Sequence, residues 1–296
     1  MTEEDNSISI VNLGKLSKPA DTLIKKVSSA VGGVFEPWQI KRVAKANAEA
    51  DLIKANSEIE ITDLQRRAMH RFVEEEASRQ QNMEDITEKA IPKLDADSNP
   101  SEMEDDWVTN FFDKSRIVSD EEMQKLWSSV LAGEANAPGT YSKRTVNLLG
   151  DLDKKDAELF QTLCRFGFNT GKFSPFIFSV EDQIYNNLGL NFNTLSHLDS
   201  IGLIKFEHIA GFVRTSLPKT FTLSYFNRPL TLTMKGDTDN KLPTGKVLLT
   251  KVGEELATVC PVSRVDGFED YVREKWATYL PKNKTMQVTI NNAPDL

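Results

Sequence analysis

Residues 119–139, SDEEMQKLWSSVLAGEANAPG, decide the fold of this chain because they predict one amphipathic helix with a defined start and end. The Ser119–Glu122 pair is a capping box, and Ala137-Pro138-Gly139 ends the helix. Apolar residues recur on one face at Met123, Leu126, Trp127, Val130 and Leu131. A helix with one apolar face must pack against other elements, so this stretch predicts a helical domain built around it.

Similar capping patterns predict three more short helices, beginning near Ser101, Ser142 and Asp153. Four helices joined by short turns form a compact helical domain, which we place at residues 95–170. Cys164 falls at a core-facing position of the last helix and is expected to be buried.

A long helix is predicted before this domain. Residues 37–91 contain no glycine and no internal proline and are rich in helix formers, which predicts one long helix or two nearly continuous ones over residues 36–94. Such a helix would span about 80 Å. It is either solvated with one packed stripe or, as we favour, an oligomerisation element. The residues expected at the contact are Ile61, Leu64, Ala68, Phe72, Met83 and Ile86.

Residues 1–35 are predicted to be a flexible lead followed by a short amphipathic helix. Two interpretations are open for its apolar stripe. It packs against the long helix or a second subunit, or it lies on an anionic membrane surface. The candidate membrane contacts are Lys25, Lys26, Val27 and Val31.

The pattern changes after the helical domain. Residues 171–281 alternate short helices with strands of period two, in the order of a winged-helix module followed by a final helix. Residues 201–252 hold eight basic and three acidic residues, but the expected recognition helix, residues 191–200, has no Lys or Arg. The module is therefore structural or binds protein, or it contacts nucleic acid through Asn193, His197, Lys241, Lys246 and Lys251. Residues 282–296 are predicted to be a loose tail.

Composition excludes several classes of protein. The 296 residues carry a net charge of −8, and residues 95–122 alone hold ten acidic and two basic residues. Two cysteines 96 positions apart and three histidines argue against a metal cluster and fit a reducing compartment. Because the sequence has no phosphate-loop motif and no catalytic constellation, we expect no cofactor, no metal and no enzyme activity.

The N-terminal residues indicate the location of the protein. They form no signal peptide, and the longest nearby apolar run, residues 27–35, has nine residues. A membrane-spanning helix needs about 20. We therefore expect a cytoplasmic protein without a transmembrane segment.

Several stretches resemble a known bacterial family. The run from Asp106 through SDEEMQKLWSSVLAGEANAPGTYS to RTVNLLGDLDKKDAELF, together with EADLIKANSEIEITDLQRRAMHRFVEEEASRQQNMEDI and KVLLTKVGEELA, is similar to the family catalogued as domain of unknown function 2806. The spacing of Trp127, Leu131, Gly133, Glu134 and Pro138-Gly139 is the most specific part. This resemblance implies no catalytic residues. FEPWQIKRVAKA and LWSSVLAG more loosely resemble the abortive-infection alpha family, which would imply a role in anti-phage defence.

These observations predict a mainly α protein with a small β component. We expect a non-enzymatic, homo-oligomeric interaction, scaffold or sensor protein that recognises a protein partner, with anti-phage defence as its setting. The alternatives are a winged-helix DNA-binding regulator and an effector that acts on a membrane surface through the N-terminal helix.

Overall fold

The structure, a computed structural model, describes residues 16–32 and 62–281. The chain forms two compact units that divide between Gly150 and Asp151. The described residues contain ten α-helices and eight short β-strands, which confirms a mainly α fold with a small β component.

The first unit is helical. Its α-helices are α1 (Lys18–Val31), α2 (Asp63–Ala90), α3 (Asp105–Ser115), α4 (Glu121–Asn136) and α5 (Lys143–Asp151), the last of which ends one residue beyond the division. Short 3-10 turns lie at Ile91–Lys93 and Pro100–Glu102.

The core of the first unit forms around the helix that the sequence predicted best. Trp127 of α4 is fully buried and meets Phe111 of α3 edge to face, with ring centroids 5.0 Å apart. Trp107 stacks on Phe111 at 5.1 Å, and its indole N–H donates to the Tyr141 carbonyl at 2.7 Å. Such aromatic pairs each contribute about 1 kcal/mol beyond the area that they bury. The apolar face predicted for α4 is therefore the face that holds α3 and α4 together.

Two predicted helix starts are wrong by a few residues. The side chain that caps α4 is that of Asp120, not Ser119, and it accepts from the N–H groups of Glu122 and Met123 at 3.1 Å each. Ser101 lies in a 3-10 turn, and α3 begins only after Glu104.

Of the two possibilities predicted for residues 36–94, one uninterrupted helix is wrong, and two nearly continuous helices stay a prediction. Thr62 is extended, with φ −62° and ψ 155°, and forms a capping box with Gln65, so α2 begins at Asp63. One uninterrupted helix cannot pass through an extended cap residue, because a cap supplies acceptors to N–H groups that have no preceding turn. The predicted end is confirmed, since α2 stops at Ala90 before Pro92. The part of the prediction at residues 36–61 lies outside the described residues, as does the predicted tail.

The second unit mixes short helices and strands. Its helices are α6 (Lys154–Cys164), α7 (Gln183–Asn186), α8 (Phe192–Ser200), α9 (Lys251–Ala257) and α10 (Phe268–Trp276). Its strands are β1 (Gly167–Asn169), β2 (Phe173–Pro175), β3 (Ile204–Phe206), β4 (Phe212–Leu217), β5 (Thr220–Tyr225), β6 (Arg228–Thr233), β7 (Asn240–Gly245) and β8 (Val247–Leu249). The sequence placed α6 in the helical domain, whereas the structure groups it with these elements.

The strands form three antiparallel sheets, ordered β2-β1-β5-β6, β3-β8 and β4-β7. Strands β5 and β6 form a hairpin whose turn is Phe226-Asn227, with φ 47° and 59°, and Arg228 and Pro229 already belong to β6. Gly245 has φ +100°, and a Cβ there would lie 2.3 Å from the Ile177 carbonyl oxygen. This glycine lets the chain between β7 and β8 approach Ile177, to whose carbonyl the Lys246 N–H donates at 2.7 Å.

An aromatic cluster forms the core of the second unit. Phe268 of α10 meets Phe166 at 4.9 Å edge to face and Tyr225 at 5.6 Å, and all three rings are buried. The cluster also includes Phe168, Phe176, Tyr185 and Trp276. The final helix predicted from the sequence is therefore part of this core.

Candidate functional site

The first half of α2 is the most exposed part of the first unit that carries large apolar side chains. Every residue from Asp63 to Glu75 is exposed. Leu64 is 68% exposed, Phe72 63% and Val73 54%. Leu64, Ala68 and Phe72 follow one another at steps of four residues, and Met69 and Val73 form a second row four residues apart beside them, so the five line one side of the helix. We call these five residues the α2 stripe.

The stripe continues into the core. Seven residues after Phe72 comes Arg79, and the same side of α2 then carries Met83, Ile86 and Ala90. Ile86 and Ala90 are fully buried where α2 packs on α4, and Lys89 Nζ donates to Gln124 Oε1 of α4 at 2.9 Å. One apolar side of α2 is thus covered at its C-terminal end and uncovered at its N-terminal end.

The six predicted oligomerisation residues therefore fall into three groups. Ile61 lies outside the described residues. Met83 and Ile86 are covered in part or in full within the unit. Ile86 lies in the core and is not available to a partner, so its assignment is corrected, whereas that of the half-buried Met83 stays a prediction. Leu64, Ala68 and Phe72 remain exposed, and the structure brings them together on one side of α2.

Charged residues of both signs lie on the side of α2 that faces away from the stripe. Arg67 and Glu74, seven residues apart, share that side, and Arg71 lies at its edge. Arg71 Nε pairs with Glu75 Oε1 at 3.2 Å.

Three of the four predicted membrane contacts in α1 are wholly or partly covered within the unit. Val27 is fully buried, with Ala20 and Leu23 on the same side, because α1 packs on α3 and on the turn at Pro100–Glu102. Lys26 Nζ forms an ion pair with Asp105 Oδ1 at 2.6 Å, Val31 is half-buried, and only Lys25 of the four is exposed. The assignment of this stripe to a membrane is corrected, since the unit already covers it.

The predicted nucleic-acid contacts lie on several elements of the second unit. Asn193 and His197 are exposed on α8, and the His197 Nε2 atom lies 2.7 Å from Asp156 Oδ1 of α6. Lys251 Nζ lies 3.5 Å from the Glu255 carboxylate, and Lys241 is exposed on β7. These contacts do not test whether the residues bind nucleic acid, so that hypothesis stays a prediction.

Lys246 lies beside an aromatic surface at the start of α8. Its ammonium donates to the His208 carbonyl. The His208 ring is 5.4 Å from that of Phe192, which is 45% exposed and lies 5.6 Å from Phe206. The structure therefore brings Lys246 together with exposed rings, whereas Lys241 and Lys251 belong to other elements.

A cleft of about 480 Å³ opens beside the loop after α4. Glu134 lies at its base and accepts hydrogen bonds from the N–H groups of Gly139 at 2.6 Å and Tyr141 at 2.8 Å. Burial raises the pKa of Glu134, and these backbone bonds lower it in part. At Gly133, a Cβ would lie 2.7 Å from the Tyr141 ring. The hydrogen bonds to Glu134 hold the loop against α4, and the absence of a side chain at Gly133 leaves room for the Tyr141 ring.

The described part of the chain holds neither a cluster of metal-binding side chains nor a membrane-spanning helix. In residues 16–32 and 62–281, no three His, Cys, Asp or Glu side chains are placed to share a metal ion. Within the same ranges, no helix has the length and hydropathy needed to cross a bilayer.

Comparison with known proteins gives one match. The family model described as "Protein of unknown function (DUF2806)" matches residues 66–273. The chain belongs to the DUF2806 family. The matched region begins inside α2 and ends in α10, so it includes most of the described elements of both units. No curated protein and no solved structure matches the chain. The looser similarity to the abortive-infection alpha family stays a prediction.

Two features of this DUF2806 chain were missed in the sequence although their signals are present. Thr62 and Gln65 have the spacing of a capping box, which marks the start of α2. Gly133 and Glu134 were noted only as part of the family resemblance, and their physical roles became visible once Tyr141 was placed beside them.

Proposed function

We propose that this chain is a homo-oligomeric interaction protein whose subunits associate through the α2 stripe. The observation that carries the proposal is the exposure of Leu64, Phe72 and Val73 on one side of a helix whose other end is anchored in its own unit. Scattered exposed apolar residues are ordinary, but a contiguous row of them usually marks an interface.

Helix energetics support a partner for this segment. The exposed turns, Asp63 to Glu75, contain 13 residues. Most helical stability in proteins comes from packing of the apolar side, and in these turns of α2 that side is exposed. A second helix on the α2 stripe supplies that packing.

The apolar residues favour a second copy of this chain, in antiparallel orientation, as the partner. We consider two α2 helices that cross antiparallel about a point between His70 and Arg71. This register sets Met69 opposite Phe72, so that apolar residues meet apolar residues.

The test is the molar mass of the full chain in solution. We expect the wild type to be a dimer or higher oligomer at micromolar concentration by multi-angle light scattering, and the double variant Leu64→Asp/Phe72→Asp to be a monomer. Ile117→Asp is the matched control, because Ile117 is as exposed as Leu64, at 68%, and lies outside α2. Circular dichroism confirms that each variant keeps its helical content.

Two results contradict the proposal: a monomeric wild type, and an oligomer that the Asp variants leave intact. A monomeric wild type whose stripe is protected from hydrogen exchange indicates that another segment of the same chain covers the stripe.

A further inference from the structure

The two cysteines, far apart in the sequence, meet in the second unit. Cys164 is the last residue of α6 and is fully buried, whereas Cys260 follows α9 and is half-buried. Burial, and then the neighbouring Cys260 thiol, raise the pKa of the Cys164 thiol. Both are free thiols in this structure.

Hydrogen bonds on both sides of the pair hold the two segments together. Gln161, one turn before Cys164, donates through its side-chain amide to the carbonyl of Pro261, which follows Cys260. Arg165, which follows Cys164, donates from Nε to the Ser263 carbonyl at 3.2 Å and from its terminal nitrogen to the Arg264 carbonyl at 3.4 Å. The end of α6 is therefore fastened along residues 261–264 independently of the thiols.

We propose that Cys164 and Cys260 are a site of reversible oxidation, at which a peroxide converts the two thiols into an intramolecular disulfide. A disulfide requires sulfur atoms that already face each other, because cysteines whose side chains point apart cannot be joined without backbone movement. The hydrogen bonds from Gln161 and Arg165 to residues 261–264 hold the two cysteine segments side by side, with the thiols as neighbours.

The exposure of the two thiols sets the order of steps. The thiolate of the half-buried Cys260 attacks one oxygen of hydrogen peroxide, the O–O bond breaks, and the hydroxide that leaves takes up a proton to become water. Cys260 is then a sulfenic acid. The Cys164 sulfur attacks the Cys260 sulfur, the S–O bond breaks, and the hydroxyl group leaves as water with the Cys164 proton. Two thiols and one peroxide thus give one disulfide and two waters.

Burial of Cys164 keeps it out of the first step. Desolvation and the neighbouring Cys260 raise the pKa of the Cys164 thiol well above its usual value, so it remains protonated and is a poor target for a peroxide in solution. The sulfenic acid of Cys260 has the Cys164 thiol as its neighbour, and formation of the disulfide prevents further, irreversible oxidation of Cys260.

The test uses the full-length wild type, treated with equimolar hydrogen peroxide, then unfolded and alkylated with N-ethylmaleimide. We expect a mass lower by two hydrogens, no alkylation, and a single peptide pair joined through Cys164 and Cys260. Dithiothreitol restores two alkylation sites. The yield is independent of protein concentration, which separates this bond from one between subunits and from any result on the α2 stripe.

Variants show whether the geometry is responsible. With a second equivalent of hydrogen peroxide, Cys164→Ala leaves Cys260 to proceed to sulfinic acid. At one equivalent, Arg165→Ala slows disulfide formation by several-fold. Lys155→Ala, an exposed change on the same helix, leaves the rate unchanged. Oxygen added to Cys260 of the wild type without a linked peptide, or a disulfide found only between chains, overturns the proposal.

Discussion

Replacement of Phe72 by Ala gives the sharpest quantitative test of the α2 stripe. Phe72 is 63% exposed in the unit. Full burial of a Phe side chain is worth about 3 kcal/mol, so covering the exposed part contributes about 2 kcal/mol in each copy. A symmetric dimer contains the residue twice, and its loss costs about 4 kcal/mol. At about 1.4 kcal/mol for each factor of ten, Phe72→Ala raises the dimer Kd roughly a thousandfold.

Sedimentation velocity over a wide range of protein concentration measures that Kd. The thermal unfolding midpoint should stay within about 1 °C of the wild type at concentrations where both are monomers, because an exposed side chain contributes little to its own unit. Ile117→Ala is the matched control and leaves the Kd unchanged. A change in Kd of less than about tenfold for Phe72→Ala, or an equal change for the control, refutes the assignment of the stripe as the interface.

Three further predictions concern the stability of single units and are checked by thermal or urea unfolding of the full chain. Glu134→Gln destabilises the first unit by about 1–3 kcal/mol, because an amide NH₂ then faces a backbone N–H. Because burial raises the folded-state pKa of Glu134, ionisation of this carboxyl lowers the stability of the unit as the pH rises through that pKa. The Gln variant lacks this part of the pH dependence, and a pH profile equal to that of the wild type contradicts the prediction. Gly245→Ala lowers the free energy of unfolding by about 3 kcal/mol or more, since the added Cβ would lie 2.3 Å from a carbonyl oxygen at φ +100°. Gly171→Ala, at φ +92° with open space around it, lowers it by about 1 kcal/mol. Equal losses would show that steric contact is unimportant. Tyr271→Phe removes the hydroxyl that donates to Asp182 and costs about 1 kcal/mol, and no loss would mean that water replaces the bond.

The local features of α4 could be predicted from the sequence because they depend only on neighbouring residues. Its apolar side repeats at helical spacing, and Trp127 and Leu131 are buried as expected. The start was misplaced by one residue because Ser119 and Asp120 are both good caps, and the choice between them depends on which side chain reaches the free N–H groups.

Whether a predicted apolar stripe is buried or exposed could not be derived in the same way. The apolar repeat of α2 is visible in the sequence, but it is the same whether that side of the helix is buried or exposed. Where α4 lies decides that Ile86 is in the core and Phe72 is in solvent. For α1, packing and membrane binding would bury the same stripe, and only the placement of α3, with Asp105 2.6 Å from Lys26, separates them.

The capped start of α2 bears on how its exposed turns associate. Thr62 and Gln65 satisfy each other's backbone N–H groups through bonds of 3.3 and 2.9 Å, so the first turn of α2 is defined by local bonds and not by a partner. The other end is fixed by Ile86 and Ala90 in the core. A helix held at both ends presents Leu64 and Phe72 in a set order before any partner arrives, and association then loses less conformational entropy than the folding of a disordered segment would. Replacing Thr62 by Ala should therefore weaken self-association without changing any residue of the stripe, by the roughly 1 kcal/mol that a cap contributes in each copy.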